Sequence, residues 1–255
     1  MQLPMTPPMT RPPRLPIVDA LRGFAVAQMI VYHLIYDLNY FGWAQLSMNR
    51  DQPWVGWRTA IVTQFLLLVG VSLVLRARRY AAGGGTQEFW LRWAQVAGAA
   101  ALVSAGSWWV FGPRFIWFGI LHFIVAELLI GRLLLPLGIW NAPLGIAAIV
   151  AGKTFTSSTF NPAPLAAIGF AVLKPRTEDY VPLFPWLGVV LTGIALATLW
   201  QRRGFALWPP LARLNAAPPQ LLLWFGTWAL TVYLAHQPLI MGLLWSVRWL
   251  QRAAG

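Results

Sequence analysis

The chain has 255 residues, of which 58% are hydrophobic and only 10% charged, whereas soluble domains run near a quarter charged. Its formal net charge of +12 sits in short Arg clusters at the ends of apolar runs, a pattern of headgroup anchoring rather than of a nucleic-acid surface. The absence of Cys excludes disulfides, thiolate metal sites and a cysteine nucleophile.

In chain order, residues 1–15 are Pro-rich and read as a disordered tail, and 16–250 read as one membrane domain. The first apolar run, 16–42, is too long for a cleavable signal peptide and carries charges inside it. Further spans are expected at 58–75, 90–111, 115–131, 134–152 and 181–200. A long seventh over 220–248 contains Pro238, where a break is expected. The stretch 160–173 opens with Asn161-Pro162-Ala163-Pro164 and is short for a span, so it reads as a partly buried loop or half-helix. The fold class is therefore an all-α polytopic transmembrane helix bundle of seven spans, with eight as the alternative. Gly83-Gly84-Gly85 is no phosphate loop, since no Lys-Ser/Thr follows it; it reads as a flexible turn. Trp108, Trp109 and Trp117 suit the aromatic belt at the membrane surface.

Orientation follows from Lys and Arg. Arg11 and Arg14 precede the first span, and Arg76, Arg78, Arg79 and Arg92 lie between the second and third, so this side is taken as cytoplasmic. With seven spans, ten basic residues lie inside and eight outside; with eight spans, eleven and seven. Charge thus leans to eight, and length to seven.

The first span holds Asp19, Arg22, His33 and Asp37, each expensive in hydrocarbon. Arg22 and His33 are eleven residues apart, so they share a face and stand roughly 16.5 Å apart along the axis. Asp37, four beyond His33, is a neighbour on that face. A neutral imidazole beside a carboxylate is a suitable general base, because the carboxylate fixes its tautomer. With seven spans, His33 and His236 each lie about 24 Å from the inner end of their helices, and His122 about 12 Å from the outer end. All three then occupy the outer half of the membrane. Glu178 and Asp179 precede the sixth span on the same side, where Asp179 is open to two readings: orienting an acceptor, or capping that helix. Glu127 and Arg132 are five apart and form at best a loose pair.

The stretch Arg14-Leu-Pro-Ile-Val-Asp19-Ala-Leu-Arg22-Gly23, then ten residues and His33, resembles the opening helix of the transmembrane acyltransferase superfamily, related to acyltransferase 3. The continuation His33-Leu-Ile-Tyr-Asp37-Leu-Asn-Tyr-Phe-Gly42 resembles bacterial members of the heparan-alpha-glucosaminide N-acetyltransferase catalytic-domain family. Phe118-Gly-Ile-Leu-His122, Asp179-Tyr-Val-Pro-Leu-Phe-Pro-Trp186 and Tyr233-Leu-Ala-His236-Gln-Pro238 extend the resemblance to about residue 240.

What the resemblance implies is acyl transfer across a membrane, from cytoplasmic acetyl-CoA to an amine or hydroxyl of an envelope glycan or glycolipid. His33 would be the general base or a transient acyl carrier, with Asp37 orienting it and His122 or His236 stabilising the oxyanion. Arg22 would contact the thioester or pantetheine arm, while Arg76, Arg78, Arg79 and Arg92 are candidates for the CoA phosphates. Asp179 and Glu178 would face the acceptor. The chain is shorter than eukaryotic relatives, and its loop 43–57 holds no His, which favours direct attack over an acyl-His relay. The expected setting is a bacterial inner membrane with the N-terminus cytoplasmic; membrane lipids are partners, nucleic acid is not, and a homo-oligomer stays open. Two rival readings are a haem-binding electron carrier using membrane histidines and a small transporter using Arg22 and Asp37.

Overall fold

The computed structural model describes residues 15–79 and 85–254. The tail before Leu15, the turn at Gly83-Gly84 and the side chains of Arg78 and Arg79 lie outside the described residues. Ten α-helices are described: α1 (Pro16–Tyr40), α2 (Gln52–Arg79), α3 (Gly85–Phe111), α4 (Ile120–Leu134), α5 (Asn141–Thr154), α6 (Ala163–Ala166), α7 (Leu183–Arg202), α8 (Pro209–Ala216), α9 (Gln220–Thr227) and α10 (Ala229–Ala254). The described residues contain isolated β-bridges but no strand.

Each boundary has a local cause. Pro16 opens α1, where its missing N–H is an orphan anyway, and the Ile17 N–H finds Asn215 Oδ1 of α8 at 3.0 Å. Gly42, at φ +79°, turns the chain after α1 in a conformation that glycine adopts without strain.

Six stretches are long and apolar enough to cross a membrane: 16–40, 52–77, 85–114, 120–154, 183–202 and 229–253. The 35-residue stretch 120–154 is not one rod. Gly138, at φ 53° and ψ −117°, reverses the chain inside a 3-10 segment, Leu135–Trp140. α5 then runs back along α7, with Gly138 beside Thr198, Gly145 beside Gly188 and Thr192, and Gly152 beside Pro185. α4 runs the other way, its start joined to the residues before α7 through the Phe118–Tyr180 bridge. The polypeptide therefore traverses the bundle seven times, as length alone favoured. The eight-span alternative fails because 160–173 holds only the end of a 3-10 turn (Ser158–Phe160) and the four-residue α6.

Two further expectations are corrected. The last span breaks at Trp228, not at Pro238, and α10 continues through that proline. Gly226 explains the position: it lies so close to the Asp19 carbonyl of α1 that a Cβ there would collide, as would one on Gly23 against Leu222. The fourth and fifth helices also start later than expected, because 115–119 is irregular chain held by the Phe118–Tyr180 bridge and Leu135–Trp140 is a 3-10 turn.

α7 is the centre of the bundle, with Val190 and Ile194 fully buried. Gly188 admits α5 on one side, while Gly70 of α2 and Gly193 of α7 let these two backbones touch on the other. Small residues that let helices approach are the usual packing device in lipid, where apolar burial alone does not discriminate. α1 lies against α2, antiparallel, through Arg22–Ser72 and Gln28–Gln64 contacts. It runs alongside α9 and α10 through Arg22–Gly226 and Asp37–Gln237.

At the end of the bundle away from the N-terminus, residues 155–182 form a cap. The Tyr180 hydroxyl donates to the Ala166 carbonyl at 2.6 Å, and the Thr177 hydroxyl donates to the Phe115 carbonyl at 2.6 Å. The rings of Phe155, Phe160 and Phe170 pack against one another within it, and Phe170 stacks on Phe184 at the start of α7.

Candidate active site

His33 on α1 and His236 on α10 meet with ring centroids 5.0 Å apart, edge to face. They are 203 positions apart in sequence; the α1–α10 packing makes them a pair. The His236 ring is buried, and its Nδ1 lies 2.7 Å from the Tyr233 carbonyl. A carbonyl only accepts, so Nδ1 carries the proton, and the neutral ring presents its lone pair at Nε2. That Nε2 and His33 Nδ1 are both buried without a hydrogen-bond partner. Two unspent imidazole nitrogens side by side are what proton transfer to and from a reacting group requires. The ring contact leaves no layer for a planar macrocycle between them, which removes the geometric basis of the haem reading.

Aromatic rings frame the pair. Tyr32 lies 6.2 Å from His33 and 5.6 Å from Trp57 of α2, and Tyr233 lies 5.6 Å from His236. The Tyr32 hydroxyl is also buried and unpartnered.

Asp37 is 2% exposed, and it does not orient His33. Its two oxygens accept from Gln237 Nε2 at 3.0 and 2.9 Å, so the carboxylate ties α1 to α10 one turn beyond the histidines. Sequence spacing made Asp37 a neighbour of His33, but the adjacent helix supplies a stronger partner. His122 is likewise spent on structure. Its Nδ1 accepts from the Gly119 N–H at 3.3 Å, and Nε2 lies 3.0 Å from Ser104 Oγ, which donates to the Ile116 carbonyl at 2.7 Å. It caps the start of α4 and pins α4 to α3, with no contact to the other two histidines.

Arg22 sits at the opposite end of the same α1 face. It pairs with Asp19 at 2.7 Å and donates to Ser72 Oγ at 2.8 Å and to the Gly226 carbonyl at 3.4 Å. Between Arg22 and His33 lies a polar step: Gln28 Nε2 donates to Gln64 Oε1 at 2.8 Å, and Trp57 Nε1 donates to Gln28 Oε1 at 3.2 Å. Two polar contacts, Arg22–Ser72 and the Trp57–Gln28–Gln64 set, therefore join α1 to α2, and the second reaches Tyr32 through the Trp57 ring. At 1.5 Å per residue, Gln28 stands about 9 Å from Arg22 and about 7.5 Å from His33.

Asp179 does not cap the helix that follows it. Its Oδ2 accepts from the Ile120 N–H at 2.9 Å, so it caps α4 from 59 residues away. Burial pushes its carboxyl above the usual carboxylate range, against the opposing pull of the Ile120 and Tyr180 N–H groups and of Lys174 and Arg58. Tyr233, one turn before His236, packs against the apolar core that contains Val181, two residues beyond Asp179. Glu178 instead pairs with Arg114 at 3.3 Å, away from the pair. Glu127 does not meet Arg132: it is 0% exposed with both oxygens unpartnered, while Arg132 lies 4.2 Å over the Phe89 ring. Arg92 contacts Gln95 at 3.4 Å. Arg76, near the end of α2, shares the N-terminal end of the bundle with Arg92 and Arg22.

Gln237, Tyr233, Tyr32, Gln28 and Gln64 escaped sequence reasoning as site residues. The pairs Asp37–Gln237 and Gln28–Gln64 span 200 and 36 positions, and no periodicity reports them. A signal existed only for Tyr233, one helical turn before His236.

No curated protein and no solved structure matches the chain. The profile of the family described as heparan-alpha-glucosaminide N-acetyltransferase, catalytic, matches residues 14–238, from the start of α1 to Pro238, just past the histidine pair. With nearly the whole membrane bundle inside that match, the chain belongs to the heparan-alpha-glucosaminide N-acetyltransferase catalytic family, and is a membrane acetyltransferase.

Proposed function

We propose that the protein moves an acetyl group from acetyl-CoA, bound from the N-terminal, cytoplasmic end of the bundle, to an amine or hydroxyl of a glycan or glycolipid at the far end. The observation that carries this reading is the His33–His236 pair with its two buried, unspent nitrogens. In hydrocarbon, polar side chains are expensive unless something polar uses them. Ser72, Gln28 and Gln64 offer hydroxyl and amide groups that match the amides of a pantetheine arm. Arg22 and Arg76 are the cations on which a donor entering from that end would bear.

His236 Nε2 takes the proton from the acceptor amine or hydroxyl as its nitrogen or oxygen attacks the thioester carbonyl. The tetrahedral oxyanion develops beside the Tyr32 hydroxyl, a donor without another partner. The C–S bond then breaks, and the imidazolium returns its proton to the leaving thiolate. His33 accepts a hydrogen bond or shares the proton at Nδ1. Asp37 is a positioning residue in this scheme: it holds the two helices, and hence the two rings, in register through Gln237. The far-end cap, with Asp179 as its anchor, forms the acceptor side.

The test is transfer of label from radiolabelled acetyl-CoA to a panel of amino sugars and glycans by the purified protein in nanodiscs. Wild type transfers label, whereas H33A and H236A keep the wild-type thermal transition and lose transfer. Wild-type turnover in H236A would remove the proposed base.

A further inference from the structure

α10 outruns α1 at the far end of the bundle. Beyond the Asp37–Gln237 contact, α1 ends after roughly 4.5 Å, whereas α10 continues for roughly 25 Å to Ala254. The 25 residues of α1 already exceed the ~30 Å of hydrocarbon they must cross, so the last turns of α10 stand in the headgroup layer. A groove of about 770 Å³ opens where the two helices part, and its walls include Tyr40, Phe41, Trp245, Arg248, Trp249 and Arg252. The four α10 residues fall at i, i+3, i+4 and i+7, which is one helix face.

Arg248 is held in position within this groove. It donates to the Phe41 carbonyl at 2.8 Å, and its guanidinium stands 5.7 Å from the centre of the Phe41 ring. That carbonyl takes one of five N–H donors. The charge here is unbalanced, because no acid lines the groove. Among the described residues the side-chain salt bridges join Arg22 to Asp19 and Arg114 to Glu178, so neither arginine of the groove has one. Asp37, on the same helix as Tyr40, is taken by Gln237. Like charges four apart on a helix repel, and a phosphate between the two guanidinium forks would turn that repulsion into attraction.

The walls select among anions. Tyr40, Trp245 and Trp249 are each more than half exposed, and a small soluble phosphate would leave these rings uncovered. A phospholipid covers them, since aromatic rings at the membrane surface lie against the boundary between headgroup and acyl chain. We propose that this groove binds one anionic phospholipid, with its phosphate between Arg248 and Arg252 and its glycerol backbone against the rings. The lipid joins the end of α1 to the overhang of α10, the two helices that carry His33 and His236. Its binding does not depend on the proposed acetyl transfer.

The experiment is native mass spectrometry of the full chain in detergent, titrated with phosphatidylglycerol or with phosphatidylcholine of the same acyl chains. A basic residue near an anionic headgroup strengthens binding by a factor of about five, so the first phosphatidylglycerol should bind at least about tenfold more tightly. R252Q, on the exposed last turn, should reduce that preference several-fold without touching the Phe41 contact. R248Q/R252Q should abolish it, while R202Q, at the opposite end of the bundle, should keep it. Glycerol phosphate at equal concentration should not displace the lipid. Equal binding of the two lipids, a preference that survives R248Q/R252Q, or an equal loss in R202Q would overturn the proposal. Displacement by glycerol phosphate would overturn it as well, by giving the groove to a soluble phosphate ester.

Discussion

Replacing Gln237 by Leu isolates the contact that ties the two histidine helices together. Asp37 is 2% exposed and takes both its side-chain hydrogen bonds from one Gln237 amide, at 3.0 and 2.9 Å. Hydrogen bonds to charged groups contribute about 1.5–3 kcal/mol, and removing one partner leaves the other unsatisfied in a buried place. For a chain of this size each kcal/mol moves the thermal midpoint by about 2–4 °C, so Q237L should lower it by roughly 3–12 °C. The assay is thermal unfolding in a fixed detergent, run as a double-mutant cycle with D37L. The double variant D37L/Q237L should recover part of the loss, because neither polar group is then stranded, with a coupling of at least about 1 kcal/mol. Because the contact also holds His33 against His236, Q237L should lower kcat more than it raises the KM for the donor. Additive single effects, within about 0.5 kcal/mol, would refute the pairing.

Three other outcomes follow from buried groups. G226A should destabilise by about 1–3 kcal/mol, since its methyl would enter the Asp19 carbonyl at the α1–α9 crossing; an unchanged midpoint would show that the crossing is looser. E127M should raise the midpoint by removing two unpartnered carboxyl oxygens from a fully buried position, and a fall would mean that Glu127 has a partner in the native membrane. The Asp179 carboxyl is held above its ordinary value of 3.8 by burial, so the folded protein binds its proton more tightly than the unfolded chain. Stability should therefore fall as pH rises from 3.8 through the raised folded value. The difference between wild type and D179N across that window is the measurement, and a flat difference would contradict the assignment.

Local, periodic features were legible in the sequence, and pairings across helices were not. The α1 face that carries Arg22 and His33 follows from 3.6 residues per turn, and the short 160–173 stretch follows from its length and prolines. Partner choice depends on packing between elements. Asp37 had an imidazole four residues away, yet it bonds a glutamine 200 positions on. Asp179 precedes α7, yet caps α4, because the Phe118–Tyr180 bridge brings its carboxylate to the Ile120 N–H. Pro238 drew attention as a break, but the break falls at Trp228, where Gly226 meets the α1 backbone. The membrane tolerates a proline inside a helix when neighbouring groups satisfy what it frees.

Sealed proteoliposomes of one protein orientation show whether the acetyl group passes from one end of the bundle to the other. With radiolabelled acetyl-CoA only at the N-terminal end and a saccharide acceptor only at the far end, label should appear on the acceptor with wild type and vanish with H236A. Transfer that occurs only when both substrates share one side would rule out passage through the bundle.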